Sequence, residues 1–464
     1  MQKGNSLVLL DICELIVDCE HKTAPTQPEG YPSIRTPNIG KGRLILDGVN
    51  RVSEETYKQW TQRAVPQAGD LILAREAPIG NVAIIPNNIK VCLGQRTVLI
   101  RPNKKLVEPN YLVYFLLGNE MQSKIHSLSN GATVHHLNMQ DIRNLSLPDL
   151  PPLPTQRIIA SILSAYDDLI ENNTRRIALL EEMAQLLYQE WFVKFRFPGY
   201  EEVRMVETEM GMVPEGWEVV SFFDIANVLS GGTPKTAEPA YWNGDIPFYT
   251  PKDAPSSFFV IMTEKSLTEM GLKSCNSHLY PRNTVFISAR GTVGRIALNA
   301  IAMAMNQSCY ALEGRGGISQ FFIFLHLKNC IRQLKQTANG AVFEAIIVDT
   351  FKWLQVLKPP LALIGAFTTM IAPVFDQILN LTMRNANLRR TRDMLLPKLV
   401  GGEIDVLGWG RMGAEADAIN RVGTEVGVYE MRVMRGRRVA EARGMAQVEP
   451  MGQDDLEWRS LWEQ

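Results

Sequence analysis

The stretch SGGTPKTAEPAYWNGD, Ser230 to Asp245, sets Lys235 beside Tyr241 and Trp242, and Lys252 follows a few residues on. Cations among aromatic and small polar side chains in an irregular loop suit phosphates and base edges better than bond cleavage. A second irregular stretch, His21 to Val49, carries Lys22, Arg35, Lys41 and Arg43. Arg75 and Arg290 each follow an apolar run and precede a glycine turn, and Arg96 and Arg295 complete the candidate DNA contacts. Arginines so placed serve buried networks as readily as phosphates, and both roles stay open for Arg75 and Arg290.

Catalytic constellations are not found. No Walker lysine loop, HExxH, GxSxG or EF-hand loop occurs in the chain. His135 and His136 form the one histidine cluster, without Cys or carboxylate at ligand spacing, so they read as loop histidines rather than a metal site. GWGRMG, Gly408 to Gly413, is formally GxGxxG, but IDVL is a meagre strand before it and nothing after it builds a sheet. Cys 13, 19, 92, 275, 309 and 330 stand singly with no CxxC, which suits a reducing cytoplasm and argues against structural zinc or disulfides.

A net charge of −1 hides a segregation of charge. Glu20 to Lys105 holds 13 Lys/Arg against 7 Asp/Glu, and Ser230 to Gln336 holds 11 against 6. Thr155 to Val220 runs the other way, 6 against 12. Two basic blocks around an acidic spacer read as two electrostatic footprints. The opening MQKGNSLVLLDICELI is too short and too acidic for a signal peptide, and no apolar stretch is expected to span a bilayer.

The elements that must position these residues are legible. Leu71–Ala74, Val82–Ile85 and Val98–Ile100 read as strands, Tyr111–Ser127 as a helix, and MGMVPEGW from Met210 as a linker. From Thr155 to Phe195 roughly forty residues pass without Gly or Pro. Ile162, Tyr166, Leu169, Asn173, Ile177, Leu180, Ala184, Leu187 and Trp191 recur at steps of three and four, which gives one narrow seam on a helix about 60 Å long. Such a seam needs a partner helix, and a polar residue on it, Asn173, is a register device. Asp167-Asp168 and Glu181-Glu182 read as the solvated face of that helix.

The chain supplies the partner by repeating itself at an offset of roughly 208–215 residues. FFDIANVLSGGTPKTA parallels LLDICELIVDCEHKTA, and the Thr-Pro pairs of DIPFYTPKD and YPSIRTPNI align. ISARGTVGRIAL parallels ILAREAPIGNVAI with Arg290 on Arg75, and Gln307 falls on Gln95. ANGAV parallels SNGAT, and the stretch from Pro359 to Leu399 repeats the Pro cluster and long helix with Asp376 on Asp168. Pro373 is expected to kink the second helix or mark its start. The fold class is therefore α+β, two tandem globular units each followed by a long helix, the helices pairing antiparallel. The expected boundaries are 1–150, 151–205, 206–357 and 358–406, with 407–464 a mobile tail outside the repeat.

The ordered set SGGTPK…YWNGDIPFYTPKD, SARGTVGRI and FDQI…NLRRTRDMLLPKLVGGEID resembles the specificity subunit of type I restriction-modification systems. The resemblance covers nearly the whole chain to about Val406. It implies two target recognition domains, each reading one half of a bipartite site in double-stranded DNA, and an antiparallel coiled-coil ruler between them. It further implies docking of two modification (methyltransferase) subunits, to which restriction subunits add. S-adenosylmethionine, ATP and Mg belong to those partners, and none to this chain. A self-contained DNA methyltransferase or methylase–nuclease fusion is the rival, but it needs an [ND]PP[YF] loop, which does not occur. A coiled-coil scaffold without DNA binding leaves the two basic units unexplained.

Overall fold

The computed structural model describes residues 7–129, 136–339 and 346–406. The chain forms two compact units, Met1–Tyr166 with Thr391–Gln464, and Asp167–Arg390. In the first unit a five-stranded sheet runs in the order Cys13–Asp18, Thr97–Pro102, Leu71–Ala74, Val82–Ile84, Gly42–Arg43. Its neighbours are antiparallel except the last pair, which is parallel. Leu71–Ala74 is buried along its whole length, as a continuous apolar run in a central strand must be. A three-stranded sheet of Arg51–Val52, Tyr31–Ile34 and Cys92–Leu93 adds one antiparallel and one parallel pairing.

The second unit repeats both of these sheets strand for strand and adds two two-stranded ones. Its five-stranded order is Ala226–Ser230, Cys309–Gly314, Val285–Ser288, Ile296–Asn299, Phe259–Val260, again with only the last pair parallel. Lys265–Leu267, Trp242–Tyr249 and Ala304–Met305 form the matching three-stranded sheet. The duplication read from the sequence is thus a duplication of α+β architecture.

Each long helix is unbroken over 40 residues, Leu153–Phe192 and Leu361–Val400. Within the second unit they run antiparallel: Asn173 meets Asn385, while Trp191 and Phe192 pack against Phe367 at 5.4 and 4.8 Å between ring centroids. Ile177, Ala184, Tyr188 and Trp191 share one core with Ile371, Phe375, Ile378 and Leu381. The seam differs from expectation at one step, since Leu169 is 40% exposed while Ile170 is buried. A straight 3.6-residue helix drifts against a seven-residue repeat, and the stripe steps sideways there.

Several local expectations are corrected. Pro373 does not mark the start of the second helix, which begins at Leu361 and continues through it. The helix expected over Tyr111–Ser127 is two, Pro109–Leu117 and Asn119–Ser127, because Gly118 takes an extended backbone (ψ 149°) between them. The Met210 linker is half of a hairpin, Met205–Thr208 with Gly211–Pro214. Its follower Trp217 stacks among Phe192, Phe195 and Phe197.

Two expectations about the helices fail on burial. Asp167 is buried, and Glu181 is not a solvated carboxylate: it accepts from the Phe258 amide at 2.8 Å and from the Ser257 hydroxyl. Burial pushes the Glu181 carboxyl up, and burial pulls Lys328 down, with its ammonium 5.5 Å from the Phe258 and Phe324 rings. Leu361–Val400 is, by length and composition, long and apolar enough to cross a membrane. Its Ile364, Phe367, Ile371 and Phe375 are instead spent on the aromatic core of the unit.

Candidate nucleic-acid interface

The same three pieces of backbone meet in each unit: the loop after the first strand, the Gln turn before the last, and the turn after the central strand. In the first unit Gln95 Nε2 donates to the carbonyl of His21 at 3.0 Å, and Lys22 is exposed beside it. In the second, the Thr233 hydroxyl donates to Gln307, and Lys235 is exposed two residues on. The glycines of SGGTPK are dictated by close approach. A Cβ on Gly231 would lie 2.2 Å from the Asn306 carbonyl, and one on Gly232 2.7 Å from the Asn276 amide.

Trp242 holds this loop rather than standing free. Its indole donates to the Lys235 carbonyl at 3.2 Å, its ring meets Phe248 edge-on at 5.5 Å, and Lys265 lies over it. Tyr241 is half-buried beside it, and Lys252 is exposed on the short turn Pro251–Asp253. Arg35 and Lys41 are exposed and Arg43 half-buried in the first unit. Arg295, exposed, donates to the Ala254 carbonyl at 3.3 Å.

The structure moves two of the repeat alignments by one residue. The Arg75 amide donates to the Arg96 carbonyl, and the Ala289 amide donates to that of Ser308. The Leu137 amide donates to Arg75, and the Ile346 amide to Ala289. Arg75 therefore corresponds to Ala289, and Arg290 to Glu76. The Thr-Pro pairs are likewise not equivalent: Asn38 caps the Arg35 amide as Asp253 caps that of Thr250, so Thr250 matches Arg35. Cap geometry is preserved where the letters slide.

Arg75 is built into the core edge. Its guanidinium donates to both carboxylate oxygens of Asp18 at 2.9 and 2.8 Å and to the Leu137 carbonyl at 2.8 Å. Its side chain is 14% exposed. Beside it a cleft of about 250 Å³ is lined by His21, Arg75, Glu76, Gln95 and Arg96. Arg96 pairs with Glu76 at 2.9 Å and holds a left-handed backbone (φ 67°), a conformation kept where the surroundings impose it. Asp18, Glu76, Gln95 and His21 were not singled out as site residues. Asp18 could have been found as the acid that ends the strand feeding the cationic loop.

Asp18, Cys19 and His21 place ligand atoms within 4.8 Å of one another. The Arg75 guanidinium already occupies the Asp18 carboxylate, and its fixed positive charge disfavours a metal there. Burial pushes the Cys13, Cys309 and Cys330 thiols up to about 12, so they stay protonated and unreactive at neutral pH. His135 and the Gly408–Gly413 motif lie outside the described residues, as do most of SNGAT and ANGAV and the tail from 407.

The model of the type I restriction modification DNA specificity domain matches twice, over residues 8–182 and 214–386. The chain belongs to the type I restriction-modification specificity family. It is 27% identical over 367 residues to the type I restriction enzyme MjaIX specificity subunit of Methanocaldococcus jannaschii, covering 78% of this chain and 83% of that one. It is 24% identical over 398 residues to the HindI specificity subunit of Haemophilus influenzae, 72% and 86% covered. The crystal structure of the S subunit from M. genitalium superposes with a TM-score of 0.57 at 16% identity, over 86% of this chain and 98% of that chain, which shows a shared fold. The chain thus carries two target recognition domains, one within each matched segment, and subunits of this class are non-catalytic recognition subunits.

Proposed function

We propose that this chain reads a bipartite site in double-stranded DNA, one half-site per target recognition domain, within a type I restriction-modification complex. The observation that carries this is the repeated exposed cation on the loop after the first strand, Lys22 in one unit and Lys235 on the glycine-tight loop of the other, each loop held against a Gln turn. Lys22, Arg35, Lys41 and Arg43 serve the first half-site, and Lys235, Lys252 and Arg295 the second, with Trp242 and Tyr241 shaping the loop. The recognition domains extend over 1–150 and 206–357, and the paired helices set the gap between half-sites.

Modification subunits dock on the helices, and restriction subunits add to them. Leu179, Met183 and Leu186 support this reading: they are exposed on the first long helix at helical spacing, roughly two residues out of phase with the buried seam. That places them on the opposite face, an apolar stripe suited to a partner helix. S-adenosylmethionine, ATP and Mg belong to the partners. The complex works in the cytoplasm, where host DNA lies.

The test is a salt-dependent binding assay of the chain with its modification subunit on duplex DNA, coupled to sequencing of the methylated motif. One bipartite motif and a steep salt slope are expected. Methyl transfer by the chain alone, or binding indifferent to salt, contradicts the reading.

A further inference from the structure

The turn after the central strand is the same piece of backbone in both units, yet it carries opposite charge. The amides of Ala289 and Arg290 both donate to the Ser308 carbonyl, at 2.8 and 3.3 Å, where the Arg75 amide donates to Arg96 at 2.9 Å. Arg290 thus stands at the Glu76 position, and Ser308 at the Arg96 position. Glu76 is three-quarters covered and closes on Arg96 Nε at 2.9 Å. Arg290 is exposed and has no ion-pair partner among the described residues.

We infer that Arg290 is a DNA phosphate contact of the second recognition domain, and that the first domain has neutralised the same place with its Glu76–Arg96 pair. This rests on the DNA reading above. A phosphate approaching the first turn meets a carboxylate and a guanidinium together, with no net charge. One approaching the second meets a cation alone, next to Ser308, Gln307 and the loop that presents Lys235. Each neutralised phosphate releases condensed counterions, so the two domains contribute unequally to the salt slope. Arg75, locked between Asp18 and Leu137, is a positioning residue and adds nothing to that slope.

The experiment uses the full-length chain assembled with its modification subunits and a labelled duplex carrying the motif that the complex methylates. The slope of log K against log salt is read for each variant. Arg290→Gln lowers the slope by about one and Arg290→Lys preserves it, while Glu76→Gln raises it by up to about one by releasing Arg96. The double variant Glu76→Gln, Arg96→Gln returns to the parent slope. An unchanged slope in Arg290→Gln overturns the inference, as does an unchanged slope in Glu76→Gln with a loss of one in Arg96→Gln. A parent complex without salt-dependent binding sinks the DNA reading itself, before any variant is compared.

Discussion

Asn173 donates a hydrogen bond to Asn385 across the two long helices at 3.0 Å, in the middle of an otherwise apolar seam. Asn385 is buried and donates in turn to the Ile170 carbonyl at 3.3 Å and the Thr174 hydroxyl at 3.1 Å. At the repeat offset of 208, the counterparts of this pair are Leu381 and Ile177, both buried apolar residues. The polar layer is therefore not duplicated. It distinguishes the two helices from each other and fixes one register, as a single buried Asn does in coiled coils at a cost in stability.

Asn385→Leu leaves Asn173 facing an apolar partner and should lower stability by about 1–3 kcal/mol. The double variant Asn173→Leu, Asn385→Leu should recover that loss while loosening the register. Denaturant unfolding measures the first effect, and the appearance of more than one gap length among methylated motifs measures the second. A double variant less stable than either single one, with a single gap, contradicts this role.

Arg75→Ala removes a guanidinium from a largely covered ion pair and from the Leu137 carbonyl, leaving Asp18 with only the exposed His21 ring, 3.2 Å away, as an ion-pair partner. The expected loss is about 2–3 kcal/mol of stability, because the largely covered carboxylate loses its fixed positive charge and both guanidinium hydrogen bonds. Thermal unfolding checks it. A change in DNA salt slope without a fall in Tm would place Arg75 on the DNA instead.

His326 is half-buried, with Nδ1 2.8 Å from the Tyr188 hydroxyl and a solvent-shielded Nε2 that has no hydrogen-bond partner. Burial holds its imidazole down at about 4, below the ordinary 6.5, so the folded protein keeps it neutral. Between those values the unfolded chain binds the extra proton. Stability is thus fully present above about pH 6.5 and falls as pH drops toward 4, by up to about 1.4 kcal/mol per pH unit from this group. Urea unfolding at pH 7, 6 and 5 of the parent and of Tyr188→Phe, His326→Leu should show a shallower pH dependence in the variant. Equal dependence would remove His326 from the account.

The topology was legible because duplication prints the same apolar runs twice: Leu71–Ala74 and Val98–Ile100 fall within observed strands, and the long helix within two residues of its start. The seam was legible because Ile177, Ala184 and Trp191 are core and recur at helical spacing. What escaped depends on partners far apart in the chain. Nothing local marks Glu181 as the acceptor for Phe258, or Arg75 as the partner of Asp18, so Glu181 read as solvated charge and Arg75 stayed open between a buried network and a phosphate. The Ala-Arg letters of the two turns aligned Arg290 with Arg75, whereas the backbone hydrogen bonds to Ser308 and Arg96 align it with Glu76.

The central claim, two separate readers joined by a ruler, is tested most directly by lengthening the ruler. Seven residues inserted after Arg176 with a matching seven after Met383 add one heptad, keep the seam in phase and leave the Asn173–Asn385 pair in place. Seven residues of helix add about 10.5 Å, roughly three base pairs of B-DNA. A four-residue insertion rotates the seam instead and should weaken assembly. Sequencing the methylated motifs of host DNA should show the gap widened by up to about three base pairs with both half-sites unchanged. An unchanged gap in an active complex, or an altered half-site sequence, would contradict the account.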